Sequence, residues 1–165
     1  DNHSSDKDML VMWNHGGGIN GLCVDENYDG DLLTLDEFKN VMDSRDYGYE
    51  LMGFDCCLIA NIETLNIVKD DARYVVASEE SEPGGGWAYD QFLKSIIETP
   101  DITGETVGRS ICDTYYVDSM ITLSVIETAK LEAVNKALDD YMGYVNGLVN
   151  NTEEYGEFVR SVGKS

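Results

Sequence analysis

The sequence predicts an α/β fold in which a mostly parallel sheet is flanked by helices on both faces. Short apolar runs alternate with amphipathic segments, which is the pattern of strands joined by helical crossovers. Four runs are rich in β-branched or apolar residues and are bounded by turn formers, as strands are. They cover residues 9–13, 50–54, 73–78 and 121–127. Four strands make a thin sheet, so we expect more of it before Asp1 or after Ser165.

Six helical segments are predicted between and after the strands. They cover residues 34–43, 57–69, 89–97, 105–116, 131–149 and 153–165. The first opens with Thr34 and Glu37, the residue pair of a capping box. The second places Cys57 at a helix N-terminus, where the helix dipole favours a thiolate. The fifth carries apolar residues on one face.

Length and composition predict one globular domain over residues 1–165, and the thin sheet indicates that this domain is truncated at both ends. The chain has 165 residues, of which 42% are hydrophobic, and a formal net charge of −21. That charge repels a phosphate backbone, so nucleic acid and anionic membrane surfaces are excluded as partners, whereas basic peptides or cations are attracted. No apolar stretch approaches the roughly 18 residues of a membrane span.

Two predicted strands end at residues that carry catalytic chemistry. The strand at 9–13 is followed by His15 and three glycines, and the strand at 50–54 is followed by Cys56 and Cys57. The carboxyl ends of neighbouring parallel strands meet in one crevice, where open α/β sheets bind ligands. A thiol and an imidazole that meet there can act as a nucleophile and its proton-transfer partner. A tight turn that follows a histidine by chance is the alternative.

The four cysteines favour one reactive thiol among buried ones. Cys23, Cys56, Cys57 and Cys112 lack the paired spacing of a zinc site and are too few for a disulfide framework. A bridge between the adjacent Cys56 and Cys57 would be strained. The alternative is that all four are packing residues.

A glycine-rich segment follows the third predicted strand. It runs from Ala77 to Tyr89 and contains Gly84, Gly85, Gly86 and Trp87. Glycines leave room for a substrate backbone, and Trp87 can form the apolar wall of a pocket. A surface loop with its tryptophan anchored in the core is the alternative.

Three segments together resemble the signature segments of the clostripain family, which are bacterial cysteine endopeptidases with a caspase-like α/β fold. The segments are Trp-Asn-His-Gly-Gly-Gly, Gly-Phe-Asp-Cys-Cys-Leu-Ile and Ala-Ser-Glu-Glu-Ser-Glu-Pro-Gly-Gly-Gly-Trp, in the order and spacing of the family. The family usually has Asp-Ala-Cys in the second segment, so Cys57 matches the nucleophile and Cys56 takes the place of the alanine. The resemblance therefore implies a three-layer sandwich of a mostly parallel sheet between helices.

The resemblance also implies the role of each site residue. Cys57 would form the acyl-enzyme, and His15 would protonate the leaving amine and then assist water. The backbone N–H groups of Gly16 and Cys57 would hold the oxyanion. Asp55 would pair with an Arg or Lys side chain before the cleaved bond, because a bidentate Arg–carboxylate pair gives both energy and geometry. No cofactor is required for this reaction.

Two departures from the family pattern bear on specificity and processing. Relatives often carry an aspartate where this chain has Gly85, so a preference for basic residues rests on Asp55 with help from Glu80 or Glu82. Relatives can also be activated by a cut after a basic residue between the His and Cys motifs, for which Arg45 is the better candidate here. The alternative is that the enzyme is active without an internal cut.

An acidic segment separate from these motifs resembles a calcium loop. Asp25, Asn27, Asp29 and Asp36 have the spacing of oxygen ligands, and Gly30 lies where such a loop turns. Against this, the twelfth position is Asp36 instead of Glu. The alternative is an acidic surface loop before a capped helix.

These observations predict a cysteine endopeptidase that cleaves after Arg or Lys through a Cys57–His15 dyad. An inactive relative that binds basic peptides or calcium is the main alternative, and an acyltransferase or deamidase with the same dyad is the second. The expected partners are a peptide or protein substrate with basic residues and the remaining part of its own processed precursor. The family implies a secreted or cell-envelope location in a bacterium.

Overall fold

A central four-stranded sheet organises the first part of the chain. The computed structural model describes residues 5–99, 101–115 and 122–163. These form two compact units, Asp1–Ala129 and Lys130–Ser165. The strands are β1 (Met9–Trp13), β2 (Leu22–Asp25), β3 (Asp31–Leu33), β4 (Tyr49–Asp55), β5 (Ala72–Ser78) and β6 (Leu123–Glu127). The central sheet has the order β1-β4-β5-β6; the first three of these strands are parallel, and β6 is antiparallel to β5.

Six α-helices accompany the strands in the described residues. They are α1 (Leu35–Asp43), α2 (Ile62–Val68), α3 (Tyr89–Glu98), α4 (Gly104–Thr114), α5 (Leu131–Leu148) and α6 (Thr152–Val162). The α/β prediction is confirmed, and the four predicted strands are all present. The predicted ends at Tyr116, Ile121 and Ser165 lie outside the described residues.

Helices cover both faces of the central sheet. On one face Leu51 and Val76 pack with Phe92 of α3 and Ile111 of α4. Successive side chains of a strand point to opposite faces, and on the other face Phe54 meets Phe38 of α1 edge to face, with the ring centroids 6.0 Å apart. The sheet therefore forms the middle of three layers, as a caspase-like domain requires.

The capping box at Thr34 and Glu37 is confirmed. Thr34 accepts a hydrogen bond from the Glu37 backbone N–H, and the Glu37 carboxylate accepts one from the Thr34 backbone N–H. These bonds satisfy donors that a helix leaves free at its first turn. Bonding to the Thr34 hydroxyl and then to its backbone N–H lowers the pKa of Glu37.

The predicted start of the second helix at Cys57 is wrong. The helix begins at Ile62, after Asn61, whose side chain accepts a hydrogen bond from the Thr64 backbone N–H. The segment between Cys57 and this cap instead bonds to the chain after β5: the Leu58 N–H donates to the Glu80 carbonyl at 3.1 Å, and Leu58 has a left-handed φ of 64°. Cys57 therefore lies in a turn and not in the first turn of a helix. The predicted stabilisation of its thiolate by a helix dipole loses its basis.

The hairpin of β2 and β3 was not predicted from the sequence. The two strands are antiparallel, with Asp25 opposite Asp31, and Gly16 forms an isolated bridge with Leu22. The hairpin is therefore hydrogen-bonded to the loop that follows β1, next to His15.

The second unit consists of α5 and α6. Asn151 caps α6 by accepting a hydrogen bond from the Glu154 backbone N–H, and the rings of Tyr141 and Phe158 lie 6.3 Å apart between their centroids. In the described residues of both units, no helix has the length and apolar character needed to span a membrane. The prediction of a single domain over residues 1–165 stays a prediction.

Candidate active site

The parallel register of β1 and β4 brings the histidine and the cysteine to the same edge of the sheet. Trp13, the last residue of β1, pairs with Asp55, the last residue of β4. His15 and Cys57 each follow two residues later. Both line one open cleft with a volume of about 780 Å³. The two groups that the sequence analysis selected therefore share a cleft at the carboxyl ends of neighbouring strands.

The main chains of the two loops lie against each other. A Cβ on Gly16 would overlap the carbonyl of Cys57, so only glycine allows this approach. The loop is held from its other side, where the Cys23 N–H donates to the His15 carbonyl at 2.9 Å. Within the described part of the chain, neither the Gly16 N–H nor the Cys57 N–H donates a hydrogen bond. Two free donors beside a thiol can bind an oxyanion.

The sulfur of Cys57 contacts the segment that follows β5. The Glu82 backbone N–H donates to Cys57 Sγ at 3.2 Å, and Sγ lies 3.7 Å from the Glu82 carbonyl, to which the thiol can donate. Cys57 is half-buried, so its sulfur is held in place and still reachable from the cleft.

The neighbouring thiol of Cys56 is in a different environment. Cys56 is buried and donates to the Met12 carbonyl at 3.4 Å. Interaction with the thiol of Cys23, followed by burial, raises the pKa of Cys56, while the same interaction lowers the pKa of Cys23. A buried thiol with a raised pKa is a poor nucleophile, so the packing role that the sequence analysis gave to Cys56 agrees with its surroundings.

Asp55 presents a buried carboxylate to the cleft. It is 4% exposed, and its Oδ2 accepts hydrogen bonds from the Trp87 backbone N–H at 2.9 Å and from the Tyr89 hydroxyl at 3.0 Å. Burial, followed by the bond to Asp55, raises the pKa of Tyr89, so this hydroxyl stays a donor. The carboxylate is therefore fixed in direction, and both donors use the same oxygen.

The two tryptophans near the site differ in exposure, and Trp87 follows the alternative of a core-anchored ring instead of the predicted pocket wall. Trp87 is 3% exposed and packs in the core, and what it supplies to the site is its backbone N–H. Trp13 is 65% exposed, lines the cleft and lies 5.7 Å from the Tyr89 ring between centroids. Gly85 is exposed between the cleft-lining Gly84 and Gly86. Trp13 is a site residue that sequence reasoning missed, although it is the first residue of the His motif.

The cleft is acidic. Its lining contains the carboxylates of Asp25, Glu26, Asp55 and Glu82, and among the described residues no Lys or Arg lines it. Of the two glutamates named as helpers of Asp55, Glu82 lies on the cleft and Glu80 is exposed outside its lining. The electrostatic field at this site favours a cationic side chain.

The calcium candidates lie in the β2–β3 hairpin and at the start of α1. Asp25 uses Oδ1 to accept from the Asn27 N–H at 2.9 Å, Asp29 has a left-handed φ of 57° at the turn, and Asp36 lies in the first turn of α1. In the part of the chain that the structure describes, no group of three or more His, Cys, Asp or Glu side chains is arranged to hold a metal ion. Calcium binding by this loop stays a prediction.

Arg45 lies in the loop between α1 and β4. Its guanidinium carbon lies 4.3 Å from the centroid of the Tyr47 ring and 4.5 Å from that of Tyr49. Cation–π contacts of this kind hold the side chain against the aromatic pair. Lys39, the other basic residue between the His and Cys motifs, lies within α1, in the helix predicted over residues 34–43.

The fold and the sequence identify the family. The profile described as the clostripain family matches residues 1–160, and the chain belongs to this family. The family prediction made from the three motifs is confirmed.

Individual relatives agree with this assignment. The chain is 27% identical over 114 residues to clostripain of Hathewaya histolytica, an alignment that covers 58% of this chain and 22% of clostripain. It is similar in structure, with a TM-score of 0.67 and 18% identity, to a secreted C11 cysteine protease from Bacteroides thetaiotaomicron solved with an irreversible peptide inhibitor, covering 82% of this chain and 44% of that one.

A further solved relative is an inactive zymogen. This C11 protease from Parabacteroides distasonis matches with a TM-score of 0.60 and 18% identity, over 78% of this chain and 36% of its own. The chain thus spans less than half the length of these relatives.

Proposed function

We propose that this chain carries the catalytic centre of a cysteine endopeptidase that cleaves after Arg or Lys. The observation that carries the proposal is the shared cleft: His15 and Cys57 line it from the ends of two paired parallel strands. A nucleophile with a proton-transfer group and free backbone donors beside it is the equipment of acyl transfer.

The reaction uses these groups in two steps. His15 takes the Cys57 proton, and the sulfur attacks the scissile carbonyl carbon, whose oxygen becomes negative and is bound by the N–H groups of Gly16 and Cys57. The C–N bond then breaks, and the leaving amine receives the proton from His15, which leaves a thioester. In the second step His15 takes a proton from water, which attacks the thioester; the C–S bond breaks, His15 returns the proton to the Cys57 sulfur, and the peptide acid is released.

Specificity for a basic residue rests on charge and geometry together. The buried carboxylate of Asp55 points into a cleft whose lining bears acids and no Lys or Arg among the described residues. The exposed ring of Trp13 on the same cleft can cover the alkyl stem or stack on a guanidinium. An Arg or Lys side chain is the group that this environment stabilises most.

Active-site labelling and cleavage mapping test this proposal in the intact protein. A chloromethyl ketone that carries Arg should modify Cys57, as located by mass spectrometry of peptides, and one that carries Leu should react much more slowly. A mixed peptide library should be cut after Arg and Lys. An intact fold that is neither labelled nor active would identify an inactive binder of basic peptides, and cuts after apolar residues would overturn the role of Asp55.

Replacing Gly16 with alanine is expected to lower kcat by about 10²-fold or more. The added methyl would overlap the Cys57 carbonyl, so the loop must withdraw and its N–H must leave the oxyanion position, a loss of the size seen when one donor is removed. Steady-state kinetics on an Arg peptide measure the effect. Gly143→Ala adds the same methyl where nothing lies within 4 Å, so it is the control. Unchanged kcat in Gly16→Ala would argue against this oxyanion site.

The proposal extends to the location and the processing of the protein. The relatives described as secreted, and the one described as an inactive zymogen, support an exported protein that is assembled with the remaining part of its own processed precursor. A cut after Arg45 would require its side chain to leave the rings of Tyr47 and Tyr49 before it could enter another active site.

A further inference from the structure

We propose that Glu82 is the second acid of the specificity pocket, and that it holds a proton when the pocket is empty and loses it when an Arg or Lys side chain binds. This inference rests on the proposed function and deepens it, because it names a residue and a pH-dependent device for the choice of substrate. Two carboxyls would then meet one guanidinium, while the empty pocket would bear a single negative charge.

The first observation is that the Glu82 carboxyl is buried beside Asp55 and Trp87 without a hydrogen bond of good geometry among the described residues. Both of its oxygens are buried, and the residue lines the cleft. The indole Nε1 of Trp87 is also buried without a hydrogen bond of good geometry among the described residues, and its interaction with Glu82 lowers the pKa of that carboxyl by less than burial and Asp55 raise it. An ionised carboxylate in that position is costly unless it is paired. The pocket thus contains an acid that a proton or an incoming cation must satisfy.

The second observation is the neighbouring carboxylate of Asp55. Burial, followed by the negative charge of Asp55, raises the pKa of Glu82 to about 8. Two carboxyls that share one site retain a proton between them. We assign that proton to Glu82, because burial is the largest cause that raises its pKa, whereas Asp55 accepts two hydrogen bonds of good geometry, from the Trp87 N–H and the Tyr89 hydroxyl.

The third observation is that the surroundings of Glu82 supply no cation. The titratable groups that interact electrostatically with it come from the end of β4, from α3 and from α4; they are Asp55, Cys56, Tyr89, Cys112 and Tyr115. Cys57 contacts its main chain. None of these groups is basic, and His15 is the only basic side chain among the described residues that line the cleft, so a permanent positive charge beside Glu82 has to come from a bound substrate.

Binding of a cation is therefore linked to release of a proton. Below a pH of about 8 an Arg side chain must displace that proton to pair with both acids, and above it the second acid is already ionised. By linkage, the affinity for a cationic side chain rises with pH by up to about tenfold per unit below this value and levels off above it. A neutral side chain of the same shape gains nothing from the ionisation.

The test compares two substrates that differ only in the residue before the cleaved bond, Arg in one and citrulline in the other. Citrulline has nearly the shape of Arg without its charge, so the ratio of their kcat/KM values cancels the ionisation of His15 and Cys57. In the intact protein this ratio should rise between pH 6 and 8 and then level off. In Glu82→Gln it should be independent of pH, close to the wild-type ratio near pH 6 and lower by at least about tenfold at pH 9.

Two further variants control the experiment. Glu80→Gln removes a charge from the same segment outside the cleft lining, and it should keep the wild-type ratio and its pH dependence. Gly85→Asp has room for its side chain, since a Cβ there meets nothing within 4 Å. Added to Glu82→Gln, it should restore a preference for Arg at high pH. Thermal unfolding of each variant checks that the fold is intact.

The outcomes separate this inference from the proposed function. If the wild type does not favour Arg over citrulline at any pH, or if Cys57 is not labelled, the proposed function fails. If the wild type favours Arg but Glu82→Gln keeps the same ratio and the same pH dependence, the proposed function stands and the role of Glu82 is refuted.

Discussion

Cys57→Ala is expected to abolish peptide hydrolysis, with a loss in kcat of at least about 10³-fold. In the proposed reaction this sulfur forms the acyl bond. The neighbouring Cys56 is buried and bonded to the Met12 carbonyl, and Cys23, which also lines the cleft, lies in β2 on the far side of the His15 loop from Cys57 in sequence order and is not at the end of β4. Hydrolysis of an Arg peptide by the purified intact protein measures the effect, and labelling by the Arg chloromethyl ketone should disappear with it.

Cys56→Ala is the matched comparison, because it removes the same atom one residue earlier in the chain. This thiol fills space under β1, so its loss should affect stability more than turnover and should leave most of the activity. If Cys56→Ala were inactive with an intact fold while Cys57→Ala remained active, the two cysteines would have to exchange roles.

His15→Ala is expected to lower kcat by about 10²- to 10⁴-fold. Without the imidazole no positioned group takes the thiol proton or gives one to the leaving amine. The main chain of the loop is held by the Cys23 N–H and by the bridge between Gly16 and Leu22, so the variant should keep its shape. Steady-state kinetics, with thermal unfolding as the check on folding, measure the effect.

Chemical rescue distinguishes proton transfer from a structural role of His15. The side chain is exposed on the cleft, so free imidazole can reach the vacated position. Added imidazole should restore part of the activity of His15→Ala and have no effect on Cys57→Ala. A variant that retains full activity without imidazole would overturn the assignment of His15 as the base.

The strands and the residues at their ends were predictable because local signals determine them. An apolar run that stops at glycine marks a buried strand entering a loop, and this located both His15 and Cys57. Parallel pairing then follows from the alternation of strands and helices. The antiparallel direction of β6 and the β2–β3 hairpin were not predictable in this way, because direction and pairing depend on contacts between residues that are distant in sequence.

The start of α2 shows the limit of periodicity. The apolar spacing after Cys57 fits a helix. However, the Leu58 N–H donates to the Glu80 carbonyl, and the Ala60 N–H donates to the carbonyl of Ser78, the last residue of β5. Tertiary hydrogen bonds therefore replace the first helical turn. The exposure of Trp13 and Trp87 could not be predicted for the same reason. Trp13 ends β1 and Trp87 lies in the segment after β5, and only tertiary packing determines which ring is exposed.

The sequence narrowed the proposed second acid of the pocket to two glutamates but did not determine which of them it is. Glu80 and Glu82 are both acids after the same strand, and their number and spacing do not say which faces the cleft. The main chain determines which glutamate faces the cleft. The Glu82 N–H donates to the sulfur of Cys57, and this contact places the side chain of Glu82 beside Asp55.

The pairing of Trp13 with Asp55 has a consequence for divergence. Because ladder hydrogen bonds between β1 and β4 fix how far apart the two loops emerge, the spacing of the reacting groups depends on main-chain atoms that every amino acid possesses. Side chains throughout the layers can therefore differ without changing this spacing, in keeping with a TM-score of 0.67 at 18% identity. The few positions that cannot drift are those where the backbone itself is crowded, as at Gly16.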